Sequence, residues 1–264
     1  MSVVSASRAT AAPGVTDPFR PCAVIPVYNH EQPLPAVVAR LRAAGLYSIL
    51  VDDGSSAGCA AVIDQLAQQT GVTRIRLATN QGKGAAVTAG LRQAGALGFT
   101  HALQVDADGQ HDLDVIPTFI AAARAQPLAL ICGRPQYDAS MPAGRRYSRY
   151  LTHIWVWINT LSLAIPDAMC GFRVYPVGPT LVLLAERRLK PRMAFDVEIL
   201  VRLAWRDQPM RWLPVSVHYP VDGRSHFRLL EDNWQISRMH TRLFFGMLIR
   251  LPVLLWRRLQ RGMA

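Results

Sequence analysis

The chain has 264 residues, half of them hydrophobic, and a formal net charge of +11, with a mean hydropathy of +0.13. That length carries one large domain with a full core, or one domain plus an appendage, and the hydropathy excludes a polytopic membrane protein. The positive balance predicts a surface that attracts anions, whether nucleic acid, anionic lipid or phosphorylated substrates.

Residues 1–18 are rich in Ala, Ser, Thr and Pro and lack an apolar run. They read as a disordered lead-in and not as a signal peptide. From Pro21 a rhythm repeats: short apolar run, polar turn, helix-like stretch. The predicted strands are Cys22–Val27, Ser48–Val51, Val72–Leu77, Ala102–Val105 and Leu128–Cys132. Between them, Leu34–Ala44, Ala60–Gln69, Ala85–Ala96 and Val115–Ala125 carry apolar residues at three- and four-residue spacing, as helices do. Strands alternating with helices predict an α/β domain with a mostly parallel sheet covered on both faces, here expected over residues 19–230. Cys22, Cys59, Cys132 and Cys170 are widely spaced with no C-x-x-C pair, which predicts reduced thiols and neither a zinc site nor a disulfide framework.

After Pro135 the rhythm breaks. Arg145, Arg146 and Arg149 precede an aromatic, apolar stretch, Leu151–Ile165; then come a loop-like PDAMCGFRVYP, a helical segment Ala194–Trp205 and a strand-like MRWLPVSVHYP. Residues 231–264 differ again. Arginines at 238, 242, 250, 257 and 261 keep roughly one helical face basic, while Leu243–Ile249 and Leu251–Trp256 are almost wholly apolar. A spanning helix needs about 20 uninterrupted apolar residues; Arg250 interrupts this one and Pro252 is expected to kink it. A pair of amphipathic helices lying in a membrane interface fits that pattern; packing on the protein's own core is the other reading.

In open parallel sheets, ligands bind at the carboxyl ends of the strands, and the informative motifs all fall there. IPVYNH (Ile25–His30) ends the first strand, VDDGS (Val51–Ser55) the second, NQGKG (Asn80–Gly84) the third, VDADGQ (Val105–Gln110) the fourth and CGR (Cys132–Arg134) the fifth. Asp106 and Asp108 leave an extended chain on the same side. Two crowded carboxylates with open positions suit a hard divalent cation, Mg²⁺ or Mn²⁺, completed by a diphosphate and waters. Asp112 and Asp114 fall at the next helix start, where Asp114 suits an N-cap. Lys83 sits among glycines at a helix start, where backbone N–H groups and an ammonium can meet phosphate.

The ordered series P-x-Y-N, D-D-G-S, N-x-G-K-G, D-A-D-x-Q and G-F-R resembles the family 2 glycosyltransferases of GT-A fold. The likeness is greatest to the branch containing dolichyl-phosphate mannosyltransferase and the bacterial polyprenyl-phosphate glycosyltransferases, and it covers roughly Phe19 to Arg228. It implies inverting transfer of a sugar from a UDP- or GDP-sugar with Mg²⁺ or Mn²⁺. It implies a nucleotide pocket walled by Pro26, Tyr28 and Asn29, with Asp53 accepting from the nucleobase or ribose, Asn80 and Lys83 near the donor, and Asp106 and Asp108 on the metal. Asp52 is expected to be structural. His30 stands where the family usually has glutamate, and Glu31 follows.

DAMCGFRVY (Asp167–Tyr175) resembles the D-x-x-x-G-F-R-x-Y segment of that branch, implying Asp167 near the acceptor as a base and Arg173 as a phosphate or structural partner. FDVE (Phe195–Glu198) resembles the acidic segment that follows it. Asp196 and Glu198 share a face only if that segment is extended. A hydroxyl acceptor would need one of these acids as base. A polyprenyl phosphate would instead be served by arginines, with Arg134, Arg145, Arg146, Arg173 and Arg224 as candidates; Arg224 lies in GRSHFR (Gly223–Arg228), a partial match to a G-x-S-K segment. His101, His153 and His240 show no ligand spacing, and Trp155 and Trp157 serve either a lipid groove or the core.

The expected partners are a nucleotide-sugar donor, a lipid or lipid-phosphate acceptor and an anionic membrane surface, with the enzyme cytoplasmic and peripheral to the inner face. Nucleic acid is not expected, because arginines are not interleaved with exposed aromatics on the sheet. A sugar-nucleotide pyrophosphorylase is not expected either, since VIPVYNHEQP has no glycine-rich basic loop after the first strand.

Overall fold

The computed structural model describes residues 18–137, 143–217 and 229–262. Most of the expected lead-in, and GRSHFR with Arg224, lie outside the described residues.

Strand β1 (Pro21–Val27) is buried on both sides: Cys22 and Val24 enter one core while Ala23, Ile25 and Val27 enter the other. This period of two repeats along β2 (Tyr47–Asp52) and β4 (His101–Gln104), whereas β3 (Val72–Arg76) fully buries only Val72 and leaves Arg74 and Arg76 exposed, as an edge strand does. Helices α1 (Leu34–Ala43), α2 (Ala57–Ala67) and α4 (Ile116–Ala125) cover the second core, and α3 (Lys83–Ala96) covers the first. A short 3-10 turn, Leu113–Val115, precedes α4 and is capped by Asp112, which accepts from Asp114 N at 2.9 Å. The cap is thus Asp112 and not Asp114, whose carboxylate is turned outward to Arg40.

The sheet has seven strands in the order β3-β2-β1-β4-β6-β5-β7. Strand β5 (Leu130–Tyr137) runs five residues beyond its expected end because β7 (Met210–Val217) pairs with it over its whole length. All strands are parallel except β6 (Arg173–Pro176), which lies antiparallel between β4 and β5. The sequence suggests a loop there; a strand opening on a buried arginine breaks the apolar pattern that marks the others. Helix α6 (Val177–Glu186) follows directly, then α7 (Phe195–Trp205).

Helix α5 (Ala143–Thr160) and α8 (Leu229–Gly262) pack beside α7 on the first core. Residues 229–262 form one helix with Pro252 inside it, not the expected pair. Packing on both sides of the proline compensates for the missing N–H: Met239, Leu243, Met247 and Leu254 are buried. Arg250 lies 4.7 Å from the Trp205 ring centroid, and Arg257 donates to Trp205 O at 2.8 Å. Several of the arginines therefore hold α8 to the domain. The opposite stripe, including Phe245, Ile249, Val253, Trp256 and Leu259, is exposed. Among the described residues, no helix is long and apolar enough to cross a membrane.

Candidate active site

The loops after β1, β2 and β3 clasp one another. Asn29, held at φ 54°, donates its backbone N–H to Ser55 Oγ at 3.2 Å and accepts from Ser56 N at 2.8 Å. Pro26 and Tyr28 are half-buried beside it. Asp52 accepts from Ser55 N at 2.8 Å and pairs with Arg76 at 3.0 Å, a structural role as the sequence suggests. Asp53 does not offer itself to a nucleobase. It is 2% exposed and accepts from Gln81 N (2.7 Å), Gly82 N (2.8 Å) and Asn80 Nδ2 (3.1 Å). Where the sequence suggests acceptance from a nucleobase or ribose, both oxygens are used in pinning the NQGKG loop. Burial raises the Asp53 pKa, opposed by those N–H bonds and by Arg192. Gly54 has φ +70°, and a Cβ there would lie 2.6 Å from Asn80 N. Glycine is what lets the two loops touch.

Asp106 and Asp108 follow β4, and the cation beside them is Lys83. Its Nζ lies 2.8 Å from Asp106 Oδ1 and 2.9 Å from Oδ2, where it donates a hydrogen bond, and 3.2 Å from Asp196 Oδ2. Asp196, at the first turn of α7, also accepts from Gln104 Nε2 at 3.2 Å. Burial lowers the pKa of Lys83, but the two carboxylates more than reverse this and hold it protonated. Burial raises that of Asp106, and Lys83 with His111 turns the balance downward. Asp108 gets less help: burial and then the charge on Asp106 push it up. Gly171 of the G-F-R motif closes the cluster, since a Cβ there would sit 2.7 Å from both Lys83 Nζ and Gln104 Nε2.

The remaining acids lie elsewhere. Asp167 is bound by Arg149 (2.5 Å) and by the backbone N–H groups of Met169 (2.9 Å) and Cys170 (2.8 Å), with His153 3.4 Å away. Burial opposes ionisation, yet these partners hold its pKa well below the usual range, which makes it a poor base. His153 is therefore a polar partner of this carboxylate. Glu198 diverges from Asp196 as helical geometry demands: fully buried, it pairs with Arg202 (2.8 Å) and Arg242 (2.5 Å) and accepts from Lys190 N (3.0 Å). It ties α7 to α8 and is not a base at the site. Of the two roles expected for Arg173, phosphate or structural partner, its geometry is that of the structural one: it is 0% exposed and donates to Asp196 O (2.8 Å) and Ala168 O (2.9 Å).

Arg134 is exposed on β5, beside a shallow hollow of about 530 Å³ shared with Trp212 and Pro214. Arg145 and Arg146 fall in the first turn of α5. The four cysteines are free and buried. Trp157 donates to Ile165 O at 2.9 Å, and Trp155 stacks on His240 at 5.9 Å.

Two residues near the cluster carried no sequence signal. His111, directly after D-A-D-G-Q, packs on Phe172 and feels both carboxylates, though burial lowers its pKa overall. Arg192 reaches back to Asn80 Oδ1 at 3.4 Å; its separation of 112 residues hides it.

The donor set suits a hard divalent ion. Asp106 Oδ1 is buried with the Lys83 ammonium 2.8 Å away, and the oxygen donors come from two neighbouring carboxylates. Among the described residues no group of three or more His, Cys, Asp or Glu side chains gathers as a metal site. Such an ion would therefore take its further ligands from substrate phosphate and water, as Mg²⁺ commonly does.

The model of glycosyl transferase family 2 matches residues 22–177. The chain belongs to this family. Undecaprenyl-phosphate mannosyltransferase of Micrococcus luteus is 29% identical over 203 residues, 75% of this chain and 83% of the relative. Undecaprenyl-phosphate 4-deoxy-4-formamido-L-arabinose transferase of Pseudomonas aeruginosa is 34% identical over 161 residues, 58% of this chain but only 45% of the relative. Among solved structures, glucosyl-3-phosphoglycerate synthase from Mycobacterium tuberculosis, in complex with Mn²⁺, UDP and phosphoglyceric acid, superposes with a TM-score of 0.64. It is 14% identical and covers 90% of this chain and 84% of that one, a likeness of fold. The mostly parallel sheet, the GT-A-like architecture and the glycosyltransferase activity expected from the motifs all hold for this family 2 chain.

Proposed function

We propose that this family 2 glycosyltransferase moves a sugar, with inversion, from a UDP- or GDP-sugar to a polyprenyl phosphate or similar lipid at an anionic membrane surface. The observation that carries the reading is the carboxylate pair after β4, with Asp106 Oδ1 buried and met by the Lys83 ammonium at 2.8 Å. Asp106 and Asp108 would hold Mg²⁺ or Mn²⁺, which offsets the charge growing on the departing diphosphate. Asp53 fixes the loop carrying Asn80, Gly82 and Lys83, and that loop opens α3, whose N-terminus favours phosphate. Arg192, bonded to Asn80, adds positive charge at the same place.

An acceptor phosphate supports inversion without a base. One of its oxygens bonds to the anomeric carbon as the bond from that carbon to the diphosphate oxygen breaks. A phosphomonoester has its second pKa at about 6, so no proton need be removed near neutral pH. This agrees with the geometry of the expected bases: Asp167 is bound by Arg149 and two backbone N–H groups, and Glu198 by Arg202 and Arg242. The relatives named for undecaprenyl phosphate support the same acceptor class. The exposed stripe of α8 from Phe245 to Leu259 supports attachment to a lipid surface, with aromatic side chains at interfacial depth.

The test is a screen of common UDP- and GDP-sugars with the purified protein, Mn²⁺ and a membrane extract, following nucleoside diphosphate release. Release with one donor, lost on chelation, is expected. No release with any donor contradicts the enzymatic reading.

A further inference from the structure

Three carboxylate oxygens surround Lys83 Nζ: Asp106 Oδ1 at 2.8 Å, Asp106 Oδ2 at 2.9 Å and Asp196 Oδ2 at 3.2 Å. They belong to segments far apart in the chain, the turn after β4 and the first turn of α7. The lysine is also boxed in. A Cβ on Gly171 would meet Nζ at 2.7 Å, and the Lys83 side chain is 20% exposed against 6% for Asp196. The ammonium is therefore built into the site, unlike a surface lysine swinging in water.

A divalent cation held by Asp106 and Asp108 needs the edge of Asp106 that Lys83 occupies. Two cations on one carboxylate edge repel strongly where water is partly excluded. The lysine has to give way, and Asp196 is the one anion of its present pair that it keeps.

We propose that Lys83 is the resident counter-ion of the metal-binding carboxylate and transfers to the donor's diphosphate when cation and nucleotide enter together, pivoting on Asp196. The inference rests on the reading of Asp106 and Asp108 as metal ligands. Its consequence is coupling. A divalent cation arriving alone displaces an ammonium that has no new partner, so it binds weakly. A nucleoside diphosphate supplies that partner, so each ligand strengthens the other by the same factor. Asp196 is then a positioning residue acting through Lys83. No proton transfer is involved.

The test is Mn²⁺ binding to the full chain, read by the electron paramagnetic resonance signal of free Mn²⁺, alone and with UDP or GDP. Wild type is expected to bind Mn²⁺ weakly alone and at least fivefold more tightly with one nucleotide, within the usual range of coupling between sites. Lys83→Met removes the competing charge. It should bind Mn²⁺ alone roughly tenfold more tightly than wild type and lose most of the enhancement by nucleotide. Lys83→Gln, which can still hydrogen-bond Asp106, should behave like Lys83→Met and carries the test if the methionine variant does not fold. Lys83→Arg keeps the charge and should retain weak binding of Mn²⁺ alone. Unchanged Mn²⁺ affinity in the uncharged variants, with wild type binding Mn²⁺ and nucleotide together, overturns the counter-ion proposal only. Failure of wild type to bind Mn²⁺ with or without nucleotide overturns the metal reading itself, and the proposal with it.

Discussion

Glu198 on α7 and Arg242 on α8 meet at 2.5 Å, and Glu198 is two residues from Asp196, whose carboxylate faces the site. One helical turn thus serves two purposes, with Asp196 toward Lys83 and Glu198 toward the terminal helix. Glu198 also accepts from Lys190 N, in the segment whose Pro191 carbonyl receives Ala85 N at 2.9 Å. The attachment of α8 and the start of α3 therefore share a support.

Replacing Glu198 with alanine strips a buried carboxylate from Arg202, Arg242 and Lys190 N. Removing one partner of a buried pair costs about 3–5 kcal/mol, and Arg242 is 44% exposed, so a loss near 2–4 kcal/mol is expected. Urea unfolding measures it. A change under about 0.5 kcal/mol, the usual scale of surface substitutions, would refute the clamp.

Asp53→Ala should free the loop at 80–82 from three hydrogen bonds to one carboxylate. Bonds to charged groups contribute about 1.5–3 kcal/mol each, so donor KM should rise at least tenfold and stability in urea should fall with it. A nucleotide preference that changes from one base to another, at unchanged KM, would restore the base-contact role the sequence suggests.

Asp167→Asn separates a structural acid from a base. A general base contributes about 10²–10⁴-fold in rate. With its pKa held low by Arg149 and His153, Asp167 is expected to cost stability instead, leaving the shape of the pH–rate profile unchanged. Loss of an acidic limb from that profile in the variant would return Asp167 to the role of base.

His240 gives the fold a pH dependence. Burial pushes its pKa from 6.5 down to about 4, and its Nε2 has no partner. The folded value lies below the unfolded one, so the contribution is full above pH 6.5 and is lost as pH falls through about 4. The shift corresponds to at most about 3 kcal/mol. Chemical unfolding at pH 7 and pH 4.5 should show wild type losing more stability than His240→Gln; equal losses would contradict the assignment.

Deleting α8 would uncover Met239, Leu243 and Met247, so point changes are the sound test of its outer stripe. Ile249 and Trp256 are 80% and 62% exposed. Changing both to glutamate should lower binding to anionic vesicles by about a hundredfold, given roughly 1.5–3 kcal/mol for burying each large apolar side chain. Nucleoside diphosphate release from a water-soluble assay should persist. Unaltered vesicle binding would remove α8 from the membrane contact.

The strands β1 to β4 were legible because each is a compact apolar run ended by a turn motif, and those ends are where the site lies. Strand β6 was not, since its first residue is an arginine paid for by backbone carbonyls that only the fold supplies. That two carboxylates crowd the end of β4 at Asp106 and Asp108, and that Lys83 opens a helix, could be read from the sequence. That Lys83 rests on Asp106 and Asp196 could not, because Asp196 lies 113 residues away in a helix whose facing depends on packing. Asp53 misled for a related reason: an acid after a strand looks open to a ligand until Gln81 and Gly82 fold over it. The arginines of α8 looked like a lipid-facing stripe, yet Arg242, Arg250 and Arg257 turn to the domain and leave the apolar stripe outside.

The most direct measurement is formation of a lipid-linked sugar from labelled donor and undecaprenyl phosphate in detergent micelles, with wild type, Asp106→Asn and a chelator. The account predicts a product cleaved by mild acid, as a sugar phosphodiester is, abolished by the chelator and reduced at least a hundredfold in Asp106→Asn, on the scale of a lost electrostatic contribution to the transition state. A product formed equally well by Asp106→Asn, or a sugar transferred only to a hydroxyl acceptor, would contradict it.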